Sequence, residues 1–239
     1  KPVFEVVDGV EIHRFANLSN HLAWARVFVP LQFGSRLERE LRRVDVAHLH
    51  EYRSFQNAVA LPMMERLGVP FVLTAQGGMP RIMGRYFVKQ VYDVLVGSRI
   101  LRRACRLHAL NELEQSQFLE LNVAPERIAI LPNGVNLDEY RVLPPVSGFR
   151  NKYNISADAL VVLFLARINK IKGVDFLVSS FADVRRALSS AVLVIAGPDD
   201  GYLPEVQRQI QRFGIGESVR LTGYLDGAAK LQAYQAADV

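Results

Sequence analysis

The chain has 239 residues, half of them hydrophobic and 22% charged, with a formal net charge of +5. That composition excludes a disordered chain, and the length allows one large or two ordinary domains. No apolar run approaches the ~20 residues of a membrane span, and the excess of base is too diffuse to argue for nucleic acid by itself, though it fits an anionic ligand or surface.

The opening "VFEVVDGVEIHRFA" alternates around Asp8-Gly9 and predicts a β-hairpin with a tight turn. "VDVAHLH" (44–50) predicts a short strand, "SFQNAVALPMMERLG" (54–68) a helix stopped by glycine, and "VPFVLTA" (69–75) a buried strand. "GRYFVKQVYDVLVGSRILRRA" (84–104) has the period of a long amphipathic helix. "CRLHAL" (105–110), "ELEQSQFLELN" (112–122) and "RIAILPNG" (127–134) predict strand, helix and strand. The single cysteine, Cys105, opens one of these strands and is expected to be an inert core thiol, as in a reducing compartment.

Pro144, Pro145 and Gly148 then mark a linker, so domains are expected at 1–144 and 145–239. Beyond it the alternation restarts: "ALVVLFLAR" strand, "GVDFLVSSFADVRRAL" helix, "SAVLVIAG" strand, "YLPEVQRQIQRFG" helix, "SVRLTG" strand, "GAAKLQAYQAAD" helix. Strands rich in Val, Ile and Leu alternating with helices predict an α/β fold of two Rossmann-like domains, with parallel sheets covered on both faces.

The stretch "ARINKIKG" puts Arg167, Lys170 and Lys172 where a strand ends, and Gly173 where a helix begins. Ligands in open α/β sheets bind beyond the carboxyl ends of strands. A helix start adds free N–H groups and a positive dipole end. Arg167 can offer a planar fork to phosphate oxygens, Lys172 a point charge, and Gly173 close backbone approach. A solvated basic loop and a diphosphate site both fit these residues. Neither a G-x-x-x-x-G-K-[ST] nor a complete G-x-G-x-x-G occurs. Asp199-Asp200 reads as a turn rather than a metal site.

The "FLARINKIKGVDFLV" segment resembles the "GR-x-x-x-x-KG" signature of GT-B-fold glycosyltransferases of family 4 (group 1). "DVAHLH" is similar to that family's "D-x-x-H-x-H" strand, "ILPNGVNLDEY" to its "I-P-N-G-V-D" crossover, and "VLVIAGPDDGY" and "VRLTGYL…LQAYQAADV" to its later segments. The resemblance covers nearly the whole chain.

The resemblance implies a retaining glycosyltransferase that moves a sugar from a nucleotide-sugar donor to a glycan or lipid-linked acceptor, without metal. Arg167 and Lys172 would hold the donor diphosphate. Gly173, Asn133, Gly134, Gly197 and Pro198 would bind the donor, with the backbone of Gly223, Tyr224 and Leu225 near the base. His50, Gln76 and Gly77 would lie on the acceptor side. The strand pattern itself places His48 in the core, satisfied by hydrogen bonds, and makes His108 structural. The family usually has glycine where Ala166 stands, and many members have histidine where Gln76 stands; glutamine does not titrate near neutral pH, so no general base is assigned. A glycine-rich loop expected before Lys1 and an "E-x-F-G-x-x-x-x-E" segment expected after Val239 suggest a piece of a longer protein. Such a piece would be a poor catalyst alone.

The cations of residues 81–106 (Arg81, Arg85, Lys89, Arg99, Arg102, Arg103, Arg106) stand against one acid, Asp93. The ordinary reading turns the apolar stripe into the core and the cations to water. The alternative lays the helix on an anionic membrane, at the inner face for a cytoplasmic protein. Two other functions stay open: a nucleotide-sugar-binding subunit without activity, and a sugar-nucleotide epimerase of similar fold.

Overall fold

Asp8 and Gly9 both take positive φ, 51° and 81°, as a two-residue hairpin turn of mirror type requires. Strands β1 (Phe4–Val7) and β2 (Val10–His13) pair antiparallel around it. The computed structural model describes residues 2–19, 28–80, 86–145 and 147–239. Gly84, Arg81 and Arg85, part of the predicted basic helix, lie outside them.

The chain divides into two units, Lys1–Gly134 and Val135–Val239. In the first, helix α1 (Phe33–Leu41), a stretch the sequence reading left unassigned, leads to the parallel sheet β3 (Ala47–His50), β4 (Phe71–Thr74), β5 (Arg106–Ala109), β6 (Ile128–Ile130), in that order. The register sets Leu49, Leu73 and Leu107 in one row, and all three are buried against helix residues such as Leu61, Met64, Ile100 and Phe118. Helix α2 (Phe55–Leu67) starts where the Ser54 side chain accepts from Asn57 N–H and ends at Gly68, left-handed at φ 69°. The opposite sheet face carries His48, His50, Thr74, Arg106 and His108, and leaves His48, His50, Arg106 and Ala129 exposed. Coverage of both faces therefore does not extend to this sheet among the described residues.

The predicted 84–104 helix is broken into α3 (Tyr86–Tyr92), a π turn (Asp93–Gly97) and α4 (Ser98–Arg103). Arg127 Nη2 donates to the carbonyls of Leu101 and Ala104, satisfying the end of α4 with a cation. Two expectations are corrected here. Cys105 is exposed, because Ala104, not Cys105, faces the core. Most of the apolar stripe before Val96 (Phe87, Val88, Val91, Val94, Leu95) is exposed as well. Helix α5 (Glu112–Glu120) completes the unit.

In the second unit α6 (Ser147–Lys152) precedes the sheet β7 (Val161–Leu165), β8 (Val192–Ala196), β9 (Val219–Gly223), all parallel. Every residue of β8 is buried. Leu193 and Ile195 feed a core with α7 (Val174–Ala187) and α8 (Leu203–Arg212), while Val192, Val194 and Ala196 feed one with Phe149 and α9 (Gly227–Ala236). This sheet is covered on both faces, as its continuous apolar strands predict. The segment 135–144 folds with this unit: Lys230 lies over the Tyr140 ring at 5.6 Å and 3.6 Å from Glu139 Oε2. The sequence reading put those ten residues with the first domain.

After α9 the chain returns to the free side of β7, where Leu163 N–H donates to Val239 O at 2.8 Å and Asp238 N–H to Val161 O at 2.9 Å. β7 is thus the strand at which the winding direction switches. Crevices at such a strand's carboxyl end are where open α/β sheets bind ligands.

Candidate active site

The loop after β7 is zipped to the loop after β8. Ile168 N–H donates to Pro198 O at 2.9 Å, and Asp200 N–H to Ile168 O at 3.1 Å. Gly197 makes this approach possible. Its φ is +154°, and a side-chain carbon there would lie 1.9 Å from Ala166 O. Gly197 N–H also donates to Gly223 O at 2.8 Å, which ties in the end of β9. So Arg167, Gly173, Gly197, Pro198 and Gly223, widely spaced in sequence, share one end of one sheet.

Within that end Arg167 Nη1 donates to Asp200 Oδ2 at 2.8 Å, and Asn169 Nδ2 donates to the same oxygen at 3.0 Å. Arg167 is fixed in direction while its side chain stays 58% exposed. Asn169 Oδ1 accepts from Ile171 N–H, shaping the turn Lys170–Lys172. Lys172 is exposed and has no acidic partner among the described residues. Gly173, at φ 69°, starts α7 with no side-chain cap over the first amides, which leaves an anion-receptive helix end beside two cations. Asp199, read as a turn residue, is one: its Oδ1 accepts from the amides of Gly201, Tyr202 and Leu203 at the start of α8. Tyr224 is exposed, whereas Leu225 is buried in the core with α9. Sequence reasoning missed Asn169 and Asp200 as the residues that hold the cation loop. The polar Asn two residues beyond Arg167 was the available signal.

In the first unit a second group gathers at the carboxyl ends of β3 and β4. Gln76 Nε2 lies 3.0 Å from His50 Nδ1. Gln76 and Gly77 both have positive φ, 48° and 73°. The buried Glu114 holds this loop: Oε1 accepts from Gly77 N–H, and Oε2 from Leu110 N–H at 2.8 Å. Arg53 holds its far side through a bidentate pair with Asp93 (2.7 and 2.8 Å), donating also to the carbonyls of Gly78 and Met79. Both side chains of that pair are about nine-tenths buried (11% and 9% exposed). Asn133 and Gly134 lie in the exposed, irregular segment after β6.

His48 and His108 meet at one hydroxyl. Thr74 Oγ1 lies 2.6 Å from His48 Nε2 and 2.8 Å from His108 Nδ1. His108 Nε2 faces Leu131 O, a pure acceptor, so it carries a proton. In the neutral ring Nδ1 then accepts from Thr74, whose oxygen accepts in turn from His48 Nε2–H. Partial desolvation where the ring meets Thr74 and the His50 ring, then the neighbouring His50 and His108 charges, hold the His48 pKa below its ordinary value although part of the ring reaches solvent. His48 was expected in the core; it is hydrogen-bonded but exposed, since it stands on the uncovered sheet face.

Among the described residues, Glu11, His13 and Glu40 bring three potential ligand atoms within 4.8 Å. Arg36 already sits there, 2.9 Å from Glu40 Oε1 and 3.3 Å from His13 Nε2, and its positive charge opposes a cation.

Comparison with known proteins gives this geometry a context. Residues 1–134 match the family described as "Glycosyl transferase 4-like domain", and residues 147–239 match "Glycosyl transferases group 1". The D-inositol 3-phosphate glycosyltransferase of Thermobispora bispora is 31% identical, over all of this chain and 60% of that protein. The enzyme of the same name from Segniliparus rotundus is 27% identical, over 84% of this chain and 46% of that protein. The chain thus spans about half the length of the curated relatives it matches. Among solved structures, Anabaena Alr3699/HepE in complex with UDP-glucose superimposes with a TM-score of 0.74 at 18% identity, over 94% of this chain and 58% of that one, which shows a shared fold.

Proposed function

The chain belongs to the group 1 glycosyl transferases with a 4-like N-terminal domain, and from that premise we propose that its second unit binds the diphosphate of a nucleotide sugar for transfer to an acceptor hydroxyl. The observation that carries this reading is the Arg167 side chain, held by Asp200 at the end of the switch strand next to the uncapped start of α7.

In the proposed reaction the acceptor oxygen attacks the anomeric carbon, and the bond to the diphosphate oxygen breaks with its electron pair leaving on that oxygen. The acceptor proton passes to the departing phosphate on the same face of the sugar, so configuration is retained. Arg167, Lys172 and the first amides of α7 stabilise the charge that builds on the diphosphate, a role that needs no metal. Gly197, Pro198 and Gly223 shape the floor of the site, and the backbone around Gly223–Leu225 lies toward the base. Gln76, with no proton to lose, positions a hydroxyl together with His50; Gly77, pinned by Glu114, fixes the loop that carries Gln76.

The acceptor we propose is a glycan or lipid-linked sugar of a cell-surface polysaccharide or glycoconjugate pathway. The name shared by the relatives makes D-inositol 3-phosphate the first small acceptor to try. We place the reaction in the cytoplasm, at the inner face of the membrane where the acceptor is lipid-linked.

Calorimetric titration with UDP, GDP and ADP tests the donor site. One nucleotide is expected to bind, and both Arg167→Ala and Lys172→Ala to weaken it. Binding that is unchanged in both variants would remove the diphosphate from this loop. Transfer from the matching nucleotide sugar, against mere binding, then separates an enzyme from a binding subunit.

A further inference from the structure

The turn Asp199–Tyr202 holds more of the cation loop than Arg167 alone. Asp199 Oδ1 accepts from the amides of Gly201, Tyr202 and Leu203 at 2.9, 3.0 and 3.0 Å, which fixes the backbone of Tyr202. Asp200 Oδ2 takes Arg167 and Asn169. The Tyr202 ring packs against the core shared by α7 and α8, and its hydroxyl donates to Asp175 Oδ2 at 3.1 Å. Tyr202 is thus held at its backbone, at its ring and at its tip.

Asp175 stands in the first turn of α7, just after Gly173. An acid at that position is ordinarily drawn to the free amides and the positive dipole end of its own helix. Gly173 places no side-chain cap over those amides, so they lack an acceptor. The Asp175 carboxylate nonetheless accepts from no amide of α7 among the described residues; its hydrogen bond goes to Tyr202. Nor does it pair with the nearby Lys172 among the described residues. The amides and the ammonium, the two kinds of donor that a loose carboxylate would occupy, are both left open.

A diphosphate needs the same donors. A carboxylate tethered beside them competes at high effective concentration, because its own helix carries it. We propose that Tyr202 and Asp175 are positioning residues of the donor site: the tyrosine hydroxyl holds the carboxylate toward the start of α8 and so keeps the first amides of α7 and Lys172 free for phosphate oxygens. This inference rests on the diphosphate reading of the site and adds a device that protects it from the chain's own acid.

The test is calorimetric titration of the 239-residue chain with inorganic pyrophosphate and with UDP, GDP and ADP. Tyr202→Phe keeps the ring in the core and removes only the hydroxyl. It is expected to weaken pyrophosphate and the preferred nucleotide by roughly three- to fivefold at low ionic strength, with the loss shrinking as salt rises. Asp175→Asn removes the competing charge but keeps an acceptor for the tyrosine. Alone it is expected to bind at least as tightly as the parent, and in the Tyr202→Phe background to cancel the loss. A residue that merely supports the fold gives the same loss in both backgrounds, so the coupling between the two changes is the deciding measurement. A Tyr202→Phe loss that persists unchanged beside Asp175→Asn, no loss at all, or weaker binding by Asp175→Asn alone overturns the proposal. The donor reading survives each of these results if Arg167→Ala and Lys172→Ala still weaken binding. A parent chain that binds neither pyrophosphate nor any of the nucleotides overturns both.

Discussion

Arg167 and Asp200 form an ion pair at 2.8 Å across two loops that follow neighbouring strands. The pair aims the guanidinium but sets a carboxylate beside the proposed diphosphate. Asp200→Asn keeps a hydrogen-bond acceptor and removes the charge. The nucleoside diphosphate is expected to bind the variant several-fold more tightly at low ionic strength, with the gain shrinking as salt rises. Arg167→Ala is expected to lower kcat by roughly 10²–10³ in whichever form of the protein transfers sugar. Titration of both variants checks this. Weaker binding in Asp200→Asn would make orientation, not charge, the carboxylate's main effect.

Gly197 and Gly173 flank the same site but differ physically. A methyl at Gly197 meets a backbone oxygen at 1.9 Å, whereas nothing lies within 4 Å of one at Gly173. Gly197→Ala is expected to destabilise the second unit by at least about 3 kcal/mol, since the β7 and β8 loops must part. Gly173→Ala meets only its positive φ, a cost of about 1–2 kcal/mol. Urea unfolding measures both, and equal losses would mean that the loops are not held as tightly as their hydrogen bonds imply.

The sequence pattern made the architecture legible wherever period and punctuation agreed. Asp8-Gly9 gave the hairpin, Ser54 and Gly68 the ends of α2, and the unbroken apolar run of β8 a strand buried on both faces. It misled where tertiary contacts decide. The 84–104 helix has one apolar period, but a π turn at Asp93–Gly97 splits it into an inner and an outer row. Cys105 sits in an apolar context yet is exposed, because its neighbour takes the core position. At the site, Arg167, Lys172 and Gly173 could be read from a local motif. Asp200, Glu114 and the Arg53–Asp93 pair could not, because each acts across long sequence separations.

The Arg53–Asp93 pair joins the π turn to the Gly78 and Met79 carbonyls, so it couples helix stability to the shape of the Gln76–Gly78 loop. Removing one partner leaves a charge stranded in the interior. Asp93→Ala is expected to cost about 3–5 kcal/mol and to raise amide exchange at Gly77 and Gly78. Arg53→Met with Asp93→Leu removes both charges and is expected to recover part of the stability but not the protection of those amides. Recovery of both would show that the pair is packing alone.

His48 carries the clearest acid-side signature. Its folded pKa lies below the ordinary 6.5, with partial desolvation of the ring the largest cause and the His50 and His108 rings adding to it. The folded state thus disfavours the imidazolium. The stability this contributes is complete above the unfolded value, about 6.5, and is lost as pH falls through the lower folded value. Protonation at Nδ1 leaves the Nε2–H bond to Thr74 in place, so the cost arises from desolvation and ring repulsion and not from a broken bond. His48→Gln is accordingly expected to flatten the fall in melting temperature below pH 6.5 while leaving the neutral-pH melt close to that of the parent. Thr74→Val, which deprives both rings of their shared hydroxyl, is expected to lower the melt at every pH. An imidazole of His48 that titrates at or above 6.5 in an NMR pH series would refute this assignment.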